Sequence, residues 1–351
     1  MGTIDVFAKW DLEHSMWINN PDIEQHGRSF AIANYEPIIN SNEKTNYIIF
    51  THGSRVEDHS KDYKSIEDKK VGIKNIIDYY AQKNGNYDIK LFLMDADAPI
   101  IEDAKLFAQY IEHLASLPTT NSINIIGLSK CCIMNFYVPR FFINPTTSSK
   151  VNIYNVAGPY DGTKLASPLV FYPEVKQVLL TKIKNERLAT SIYNELIKVY
   201  EGISSNSHMD YDIAIPGGVP ENKKHLYDES FIRNVFCDEN VNAIKGIASF
   251  HNFLTGIDDK TLREAILTAN FTGIGLCVLN DLFFDKKSDG MIYVSSQQKV
   301  DDVLGIKSHK LTSAHHDVAS NPRVLKDILS TVHDSIEEYD EKVQYQKRRL
   351  N

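Results

Sequence analysis

The chain has 351 residues, of which 38 are basic and 46 acidic, so its formal net charge is −8 at pH 7. Apolar residues make up 42% of the chain, which is enough for a sizeable core and excludes a mostly disordered protein. The acidic balance excludes a dedicated nucleic-acid binder, which needs a basic footprint. No apolar run reaches the roughly 18 residues that span a bilayer. The 4 cysteines are too few for a disulfide framework.

The first half of the chain predicts an α/β fold. Residues Met1–Asn20 lack the layout of a secretion signal, so we expect a cytoplasmic protein, with signal-independent secretion as the alternative. Helical spacing appears in Ser65–Gln82 and Glu102–Leu117. Five apolar segments are predicted strands, and the last four do not alternate, as is typical of a mostly parallel sheet flanked by helices. They are Ser29–Tyr35, Tyr47–Phe50, Ile89–Met94, Ile123–Ile126 and Val151–Val156.

The second half predicts a helical insertion in this sheet. Pro173–Tyr200 and Glu229–Ala269 have helical patterns, and a strand-like run, Thr272–Leu279, follows them. We therefore expect a core domain of residues 1–159 and 270–351, with residues 160–269 as a helical cap. The last predicted helix, Asn321–Leu350, carries three basic residues near its end, Lys347, Arg348 and Arg349. These basic residues favour a helix end that lies in solvent, because cations stabilise the C-terminal end of a helix. Transient contact of this end with a membrane surface is the alternative.

A serine follows the fourth predicted strand, in Gly127-Leu128-Ser129-Lys130-Cys131, and a helix is predicted over Cys132–Phe142. A tight strand-to-helix turn requires small residues on both sides of the serine, because they approach each other. The segment resembles the nucleophile elbow of the α/β-hydrolase family, with Cys131 in place of the usual final glycine. One alternative is a serine that caps the helix. Another is Cys131 or Cys132 as nucleophile, for which core packing is the simpler interpretation.

The resemblance extends to a segment that would supply the acid of a catalytic triad. Asp289 opens an Asp-Gly turn before an apolar stretch that ends in a pair of serines. Many lipases have such a segment, and its aspartate is the triad acid. The alternatives are a plain Asp-Gly turn and a rival acid, Asp161, which follows a different strand.

A further segment resembles the one that carries the catalytic histidine. Two histidines are adjacent, and the spacing to Asp317 and Pro322 selects His315 over His316. The resemblance therefore implies that His315 is the base, in the family's chain order of serine, acid and histidine. The serine would be Ser129 and the acid Asp289.

The loop after the second predicted strand resembles the His-Gly loop of the same family. The resemblance implies an oxyanion hole formed by the backbone N–H groups of Ser54 and Lys130. His52 would brace this loop, and Gly53 would let the backbone approach the substrate. We expect Tyr160, at the start of the cap, to bind substrate together with His52 and Gly53.

The implied function is that of a lipase- or esterase-like serine hydrolase, which cleaves a small-molecule or lipid ester and needs no cofactor. The alternatives are an acyltransferase or thioesterase on the same triad, and a non-catalytic binding module with a hydrolase fold. A metal site built from His52, His59, His315 and His316 is a further alternative. Apolar residues of the cap are expected to form the acyl pocket. They are Leu169, Val170, Phe171, Val178, Leu179, Leu180, Phe231, Val235, Phe236, Phe250 and Phe253.

Overall fold

A computed structural model of the chain describes most of the residues that follow position 98 and shorter segments before it. The described residues are 4–5, 8–11, 16–19, 31–34, 37–39, 44–52, 74–93, 99–203, 212–215, 217–226, 229–258, 280, 287–315, 318 and 321–350. In this part of the chain, no helix combines the length and the apolar character that crossing a bilayer requires.

Strands from both halves of the chain form one large sheet. The described strands are β1 (Ile4–Asp5), β2 (Ala8–Asp11), β3 (Met16–Asn19), β4 (Ala31–Asn34), β5 (Thr45–His52), β6 (Asn86–Leu93), β7 (Thr120–Leu128), β8 (Val151–Val156), β9 (Ser249–Gly256) and β10 (His309–Thr312). Eight of them pair in the order β1-β4-β6-β5-β7-β8-β9-β10, while β2 and β3 pair with each other. The six strands from β6 to β10 in this order run parallel, and β4 pairs antiparallel with β6.

Helices connect the parallel strands and close the chain. They are α1 (74–80), α2 (Ile100–Ser116), α3 (Cys131–Tyr137), α4 (Pro145–Ser148), α5 (Pro168–Lys182), α6 (Glu186–Ile203), α7 (Glu229–Arg233), α8 (Asp238–Lys245), α9 (Val294–Leu304) and α10 (Pro322–Leu350). Short 3₁₀ turns cover Val138–Phe141, Lys164–Ala166 and Glu221–Leu226.

Both faces of the sheet are buried, which explains why the central strands do not alternate between apolar and polar residues. Ile125 of β7 faces a core cluster that includes residues of α2 and α3. The next residue, Ile126, faces the opposite cluster, which includes residues of α10. The predicted α/β fold, with a mostly parallel sheet between helices, is confirmed.

All five predicted strands are confirmed, and β8 coincides with its predicted range. Helix α2 confirms the helix predicted over Glu102–Leu117, and α10 confirms the final helix. Of the helix predicted over Ser65–Gln82, residues 74–80 are helical and 65–73 lie outside the described residues. The strand-like run Thr272–Leu279 also lies outside them.

Strand β9 contradicts part of the predicted cap. Residues 249–256 were expected to be helical, yet they pair with β8 and β10 inside the sheet. Phe250, Phe253 and Leu254 are spaced as on a helix face, which misleads a periodicity argument. The polar residues Asn252 and Thr255 are buried here because Gln297 supplies hydrogen bonds to both.

The remaining predicted cap divides into two parts. The apolar residues of 229–247 belong to the core cluster on the α2 face, and they include Phe231 and Val235. Helices α5 and α6 form a separate apolar cluster instead. The prediction that Phe231, Val235, Phe236, Phe250 and Phe253 line an acyl pocket is therefore wrong, because these side chains pack in or against the core.

Candidate active site

The predicted catalytic residues lie at one edge of the sheet. Strands β7, β9 and β10 run parallel, so their carboxyl ends meet at the same edge. Ser129 directly follows β7, and His315 lies three residues beyond the end of β10. Asp289 is hydrogen-bonded to Thr255, the penultimate residue of β9. Neighbouring strands are about 4.8 Å apart, so the axes of β7 and β9 are about 10 Å apart.

Ser129 has a left-handed backbone conformation, with φ of 58°. This conformation costs a residue with a side chain roughly 1–2 kcal/mol. It is held by hydrogen bonds on both sides. The Ser129 N–H donates to the Val156 carbonyl at 3.0 Å, and its carbonyl accepts from the Cys132 N–H at 2.9 Å. Ser129 as a whole residue is half-buried, so part of it is in contact with solvent.

Close packing behind Ser129 accounts for the small residues around it. A Cβ atom on Gly127 would overlap the side-chain amide of Asn135 and approach Asn155 Oδ1 to 3.0 Å. Cys131, on the other side of the serine, is fully buried. These positions therefore exclude larger side chains, as a tight strand-to-helix turn requires.

Cys132 is a packing residue rather than a nucleophile. Its Sγ lies 3.2 Å from the Val156 carbonyl oxygen and 3.4 Å from that of Gly127. Burial raises the pKa of the Cys132 thiol well above its ordinary value. A buried thiol with a raised pKa is unreactive, because the thiolate is the nucleophilic form.

Asp289 and His315 form a buried pair. The Asp289 Oδ2 lies 2.7 Å from Nδ1 of His315, and only 4% of the histidine is exposed. The backbones are also joined, because the His315 N–H donates to the Asp289 carbonyl at 2.9 Å. The two residues are therefore fixed relative to each other by a side-chain contact and a backbone contact.

The Asp289 carboxylate is fully buried and well supplied with donors. Its Oδ1 accepts the backbone N–H groups of Met291 at 3.0 Å and Ile292 at 2.8 Å. Its Oδ2 accepts the Thr255 hydroxyl at 2.6 Å and Gln297 Nε2 at 3.2 Å. Such donors offset the desolvation of a buried carboxylate. Sequence reasoning missed Thr255 and Gln297, which no local motif marks.

Asp161, the rival acid, is placed elsewhere. Its Oδ1 lies 2.8 Å from Nζ of Lys299, and about half of its side chain is exposed (51%). Asp289, rather than Asp161, therefore holds the His315 imidazole.

The predicted oxyanion loop begins beside Ser129. His52 is the last residue of β5 and pairs in register with Leu128, the residue before the serine. Lys130 follows the serine as the N-cap of α3, with helical backbone angles. The His52 side chain, Gly53 and Ser54 lie outside the described residues, so the roles assigned to them stay predictions.

Tyr160 does not fit the substrate-binding role expected of it. Its side chain is only 1% exposed, and its hydroxyl accepts a hydrogen bond from Asn155 Nδ2 at 2.8 Å. The ring packs edge-on to Phe136 and against Phe236. Burial raises the pKa of its hydroxyl well above the ordinary value. The prediction is therefore corrected: Tyr160 packs behind the serine turn.

The alternative metal site was predicted from four histidines, and the structure describes the side chain of only one of them, His315. His59 and His316 lie outside the described residues, and so does the His52 side chain. Among the residues whose positions are described, no group of three or more histidine, cysteine or acidic side chains could hold a metal ion.

No protein-family model and no curated protein matches the sequence. Among solved structures, the chain is similar to Bacillus licheniformis lipase BlEst2 (12% identity, 83% of this chain and 94% of that one, TM-score 0.44). It is also similar to Est1E from Butyrivibrio proteoclasticus (9%, 89% and 96%, TM-score 0.41). A third is an inhibited esterase B from Lactobacillus rhamnosis (10%, 100% and 90%, TM-score 0.41).

The fold itself follows from features already described. They are six neighbouring parallel strands, the antiparallel strand β4 beside them, helices on both faces and a left-handed serine between β7 and α3. Together these features define the α/β-hydrolase fold, and the chain has that fold.

Proposed function

We propose that this chain is a serine hydrolase that cleaves carboxylic esters of hydrophobic acyl groups, including lipids. The observation that carries the proposal is the buried Asp289–His315 hydrogen bond of 2.7 Å. It lies at the sheet edge where Ser129 is held in a left-handed conformation. Strained backbone of this kind is retained where the surrounding structure enforces it, and it concentrates at functional sites.

The proposed reaction uses each residue of the triad at a defined atom. Because Asp289 accepts the Nδ1–H of His315, the lone pair of the neutral imidazole is on Nε2. Nε2 takes the proton of the Ser129 hydroxyl as Oγ attacks the ester carbonyl carbon. The imidazolium then gives this proton to the leaving alkoxide, and an acyl-enzyme forms. Water, activated by the same histidine, releases the acid and restores the serine.

The negative oxygen of the tetrahedral intermediate needs fixed donors. We assign this role to the backbone N–H groups of Lys130 and Ser54, each worth about 10²–10³-fold in turnover. The register of His52 with Leu128 supports the assignment, because the loop after β5 then starts next to the serine turn.

Apolar packing beside the catalytic pair supports a hydrophobic acyl group. The α5–α6 cluster includes Ala314, which precedes His315 in the chain. It also includes Met291 and Tyr293 from the loop that carries Asp289. A hydrophobic wall from α5 and α6 therefore meets the loops of the proposed acid and base, as an acyl chain next to the reacting carbonyl requires.

A fluorophosphonate probe tests the proposal, because it labels activated serines. We expect the wild type to be labelled and Ser129→Ala to be unlabelled. His315→Ala is expected to lower kcat/KM on acyl esters by about 10³-fold or more, because the general base is lost. The control is His316→Ala, which removes the adjacent histidine and is expected to retain most of the activity.

Two outcomes would overturn the proposal: a folded wild type that takes no label, or label that persists in Ser129→Ala. If His316→Ala were the more damaging variant, the histidine assignment would be wrong. Acyl esters graded by chain length, assayed on the wild type, then test the preference for hydrophobic acyl groups.

A further inference from the structure

Donors of two kinds hold the Asp289 carboxylate. Oδ1 accepts backbone N–H groups from its own turn, at Met291 and Ile292. Oδ2, the oxygen that meets His315, accepts the Thr255 hydroxyl at 2.6 Å and Gln297 Nε2 at 3.2 Å. These two side chains come from β9 and α9. The oxygen that faces the imidazole is therefore oriented by tertiary contacts.

Thr255 and Gln297 are also bonded to each other. Gln297 Oε1 accepts the Thr255 N–H at 2.7 Å, and Gln297 Nε2 lies 3.1 Å from the Thr255 carbonyl oxygen. The side-chain amide of Gln297 thus makes two hydrogen bonds to the backbone of β9, as a peptide group of a neighbouring strand would. Thr255 is 1% exposed and Gln297 is fully buried, so water does not compete for these contacts. The Thr255 hydroxyl is thereby fixed relative to Asp289.

We propose that Thr255 and Gln297 are positioning residues that aim Oδ2 of Asp289 at Nδ1 of His315 and share its negative charge. This inference rests on the proposed function. Hydrogen bonds to an ionised acceptor are short and strong, and the Thr255 contact of 2.6 Å is of this kind. Without it, the carboxylate has one restraint fewer against rotation of Oδ2 away from the imidazole.

A second threonine separates positioning from loop stability. Thr163 Oγ1 donates to the Met291 carbonyl at 2.7 Å, so it stabilises the Asp289 loop without contacting the carboxylate. If Thr255 acted through the stability of this loop alone, loss of either hydroxyl would have the same effect on the chemistry. Thr163→Val is therefore the matched control for Thr255→Val.

The experiment measures the rate constant of fluorophosphonate labelling from about pH 5 to pH 9, together with the thermal midpoint of unfolding, on full-length protein. Thr255→Val is expected to react about 10- to 100-fold more slowly than the wild type. Thr255→Ser keeps the hydroxyl and is expected to restore the rate. Thr255→Ala is the second hydroxyl-free variant, for use where valine prevents folding.

Thr163→Val is expected to lower the thermal midpoint and leave the labelling profile unchanged. The inference is overturned if Thr255→Val reacts at the wild-type rate across this pH range. Failure of Thr255→Ser to restore the rate, or an equal loss of rate in Thr163→Val, also overturns it. A wild type without label overturns the proposed function and the positioning role together, whereas a labelled wild type with an unaffected Thr255→Val overturns the positioning role alone.

Discussion

Ser129 has a backbone conformation that glycine adopts more readily than serine. Its φ of 58° falls in the left-handed region, where Cβ crowds the following carbonyl oxygen. This conformation places the serine at the tip of the turn between β7 and α3. The stability of the turn therefore favours glycine at this position, whereas the proposed reaction requires the serine hydroxyl.

We expect Ser129→Gly to be more stable than Ser129→Ala by about 1 kcal/mol, because glycine relieves the left-handed strain. Both variants lack the hydroxyl, so their difference reports the backbone alone. The free energies of unfolding in urea measure it. The same pair of substitutions at Ser330, within helix α10, is the control, and there alanine should be the more stable variant. Equal stability of the two Ser129 variants would show that the turn is unstrained.

The sequence allowed prediction of those site residues that carry local signals. Ser129 lies between a buried strand and a helix, and Asp289 lies in an Asp-Gly turn. Thr255 and Gln297 carry no such signal, because they meet Asp289 across 34 and 8 residues of chain. Their contacts exist only once β9 and α9 are packed together. A polar residue within an apolar strand is therefore informative only after its partners are known.

Helix α2 illustrates how an element of this fold depends on a distant side chain. It starts after Pro99, and no side-chain hydrogen bond from this N-cap residue satisfies the first N–H groups. Instead, Oδ2 of Asp212 accepts the Ile100 N–H at 2.8 Å. Asp212 is 3% exposed, so its negative charge lies buried at the positive end of a 17-residue helix.

Asp212→Ala is expected to destabilise the protein by about 1–2 kcal/mol, since it removes the acceptor of a buried N–H at a helix start. Asp212→Asn keeps an acceptor oxygen and should lose less. Urea unfolding measures both, and Asp302→Ala, at an exposed position of α9, is the control. If Asp212→Ala matched Asp302→Ala in stability, this contact would contribute nothing to α2.

Strand β9 shows where an element could not be predicted. Its apolar residues have helical spacing, and its buried polar residues suggest exposure. The strand forms because β8 and β10 pair with it on both sides, and because α9 supplies Gln297 to its polar groups. Pairing between distant strands overrides local pattern here, while the central strands, which contain apolar runs such as Tyr47–Phe50, are predictable from composition.

Buried and half-buried histidines link the stability of the whole molecule to pH. Burial lowers the pKa values of His113, His251 and His333. His251 stacks on Tyr154, with ring centroids 5.0 Å apart, and its Nε2 lies 3.4 Å from Ser335 Oγ of α10. The nearby His309 lowers its pKa further, and the charge of Glu338 acts in the opposite direction.

The direction of the pH dependence follows from these shifts. Each of the three histidines has a lower pKa in the folded protein than in the unfolded chain, where the value is about 6.5. The unfolded state therefore binds more protons as the pH falls below that value, and folding becomes less favourable. The stabilising contribution is complete above about pH 6.5 and is lost as the pH falls through the folded-state pKa values.

We expect the free energy of unfolding to decrease from about pH 7.5 to pH 5.5, and His251→Phe to reduce this decrease. Phenylalanine keeps an aromatic ring against Tyr154 but takes up no proton. Urea unfolding at a series of pH values measures the slope for each protein. The comparison cancels the contributions of titratable groups that do not interact with His251, which both proteins share. Identical slopes would mean that His251 titrates alike in the folded and unfolded states, and that its place on β9 beside α10 has no part in the acid response.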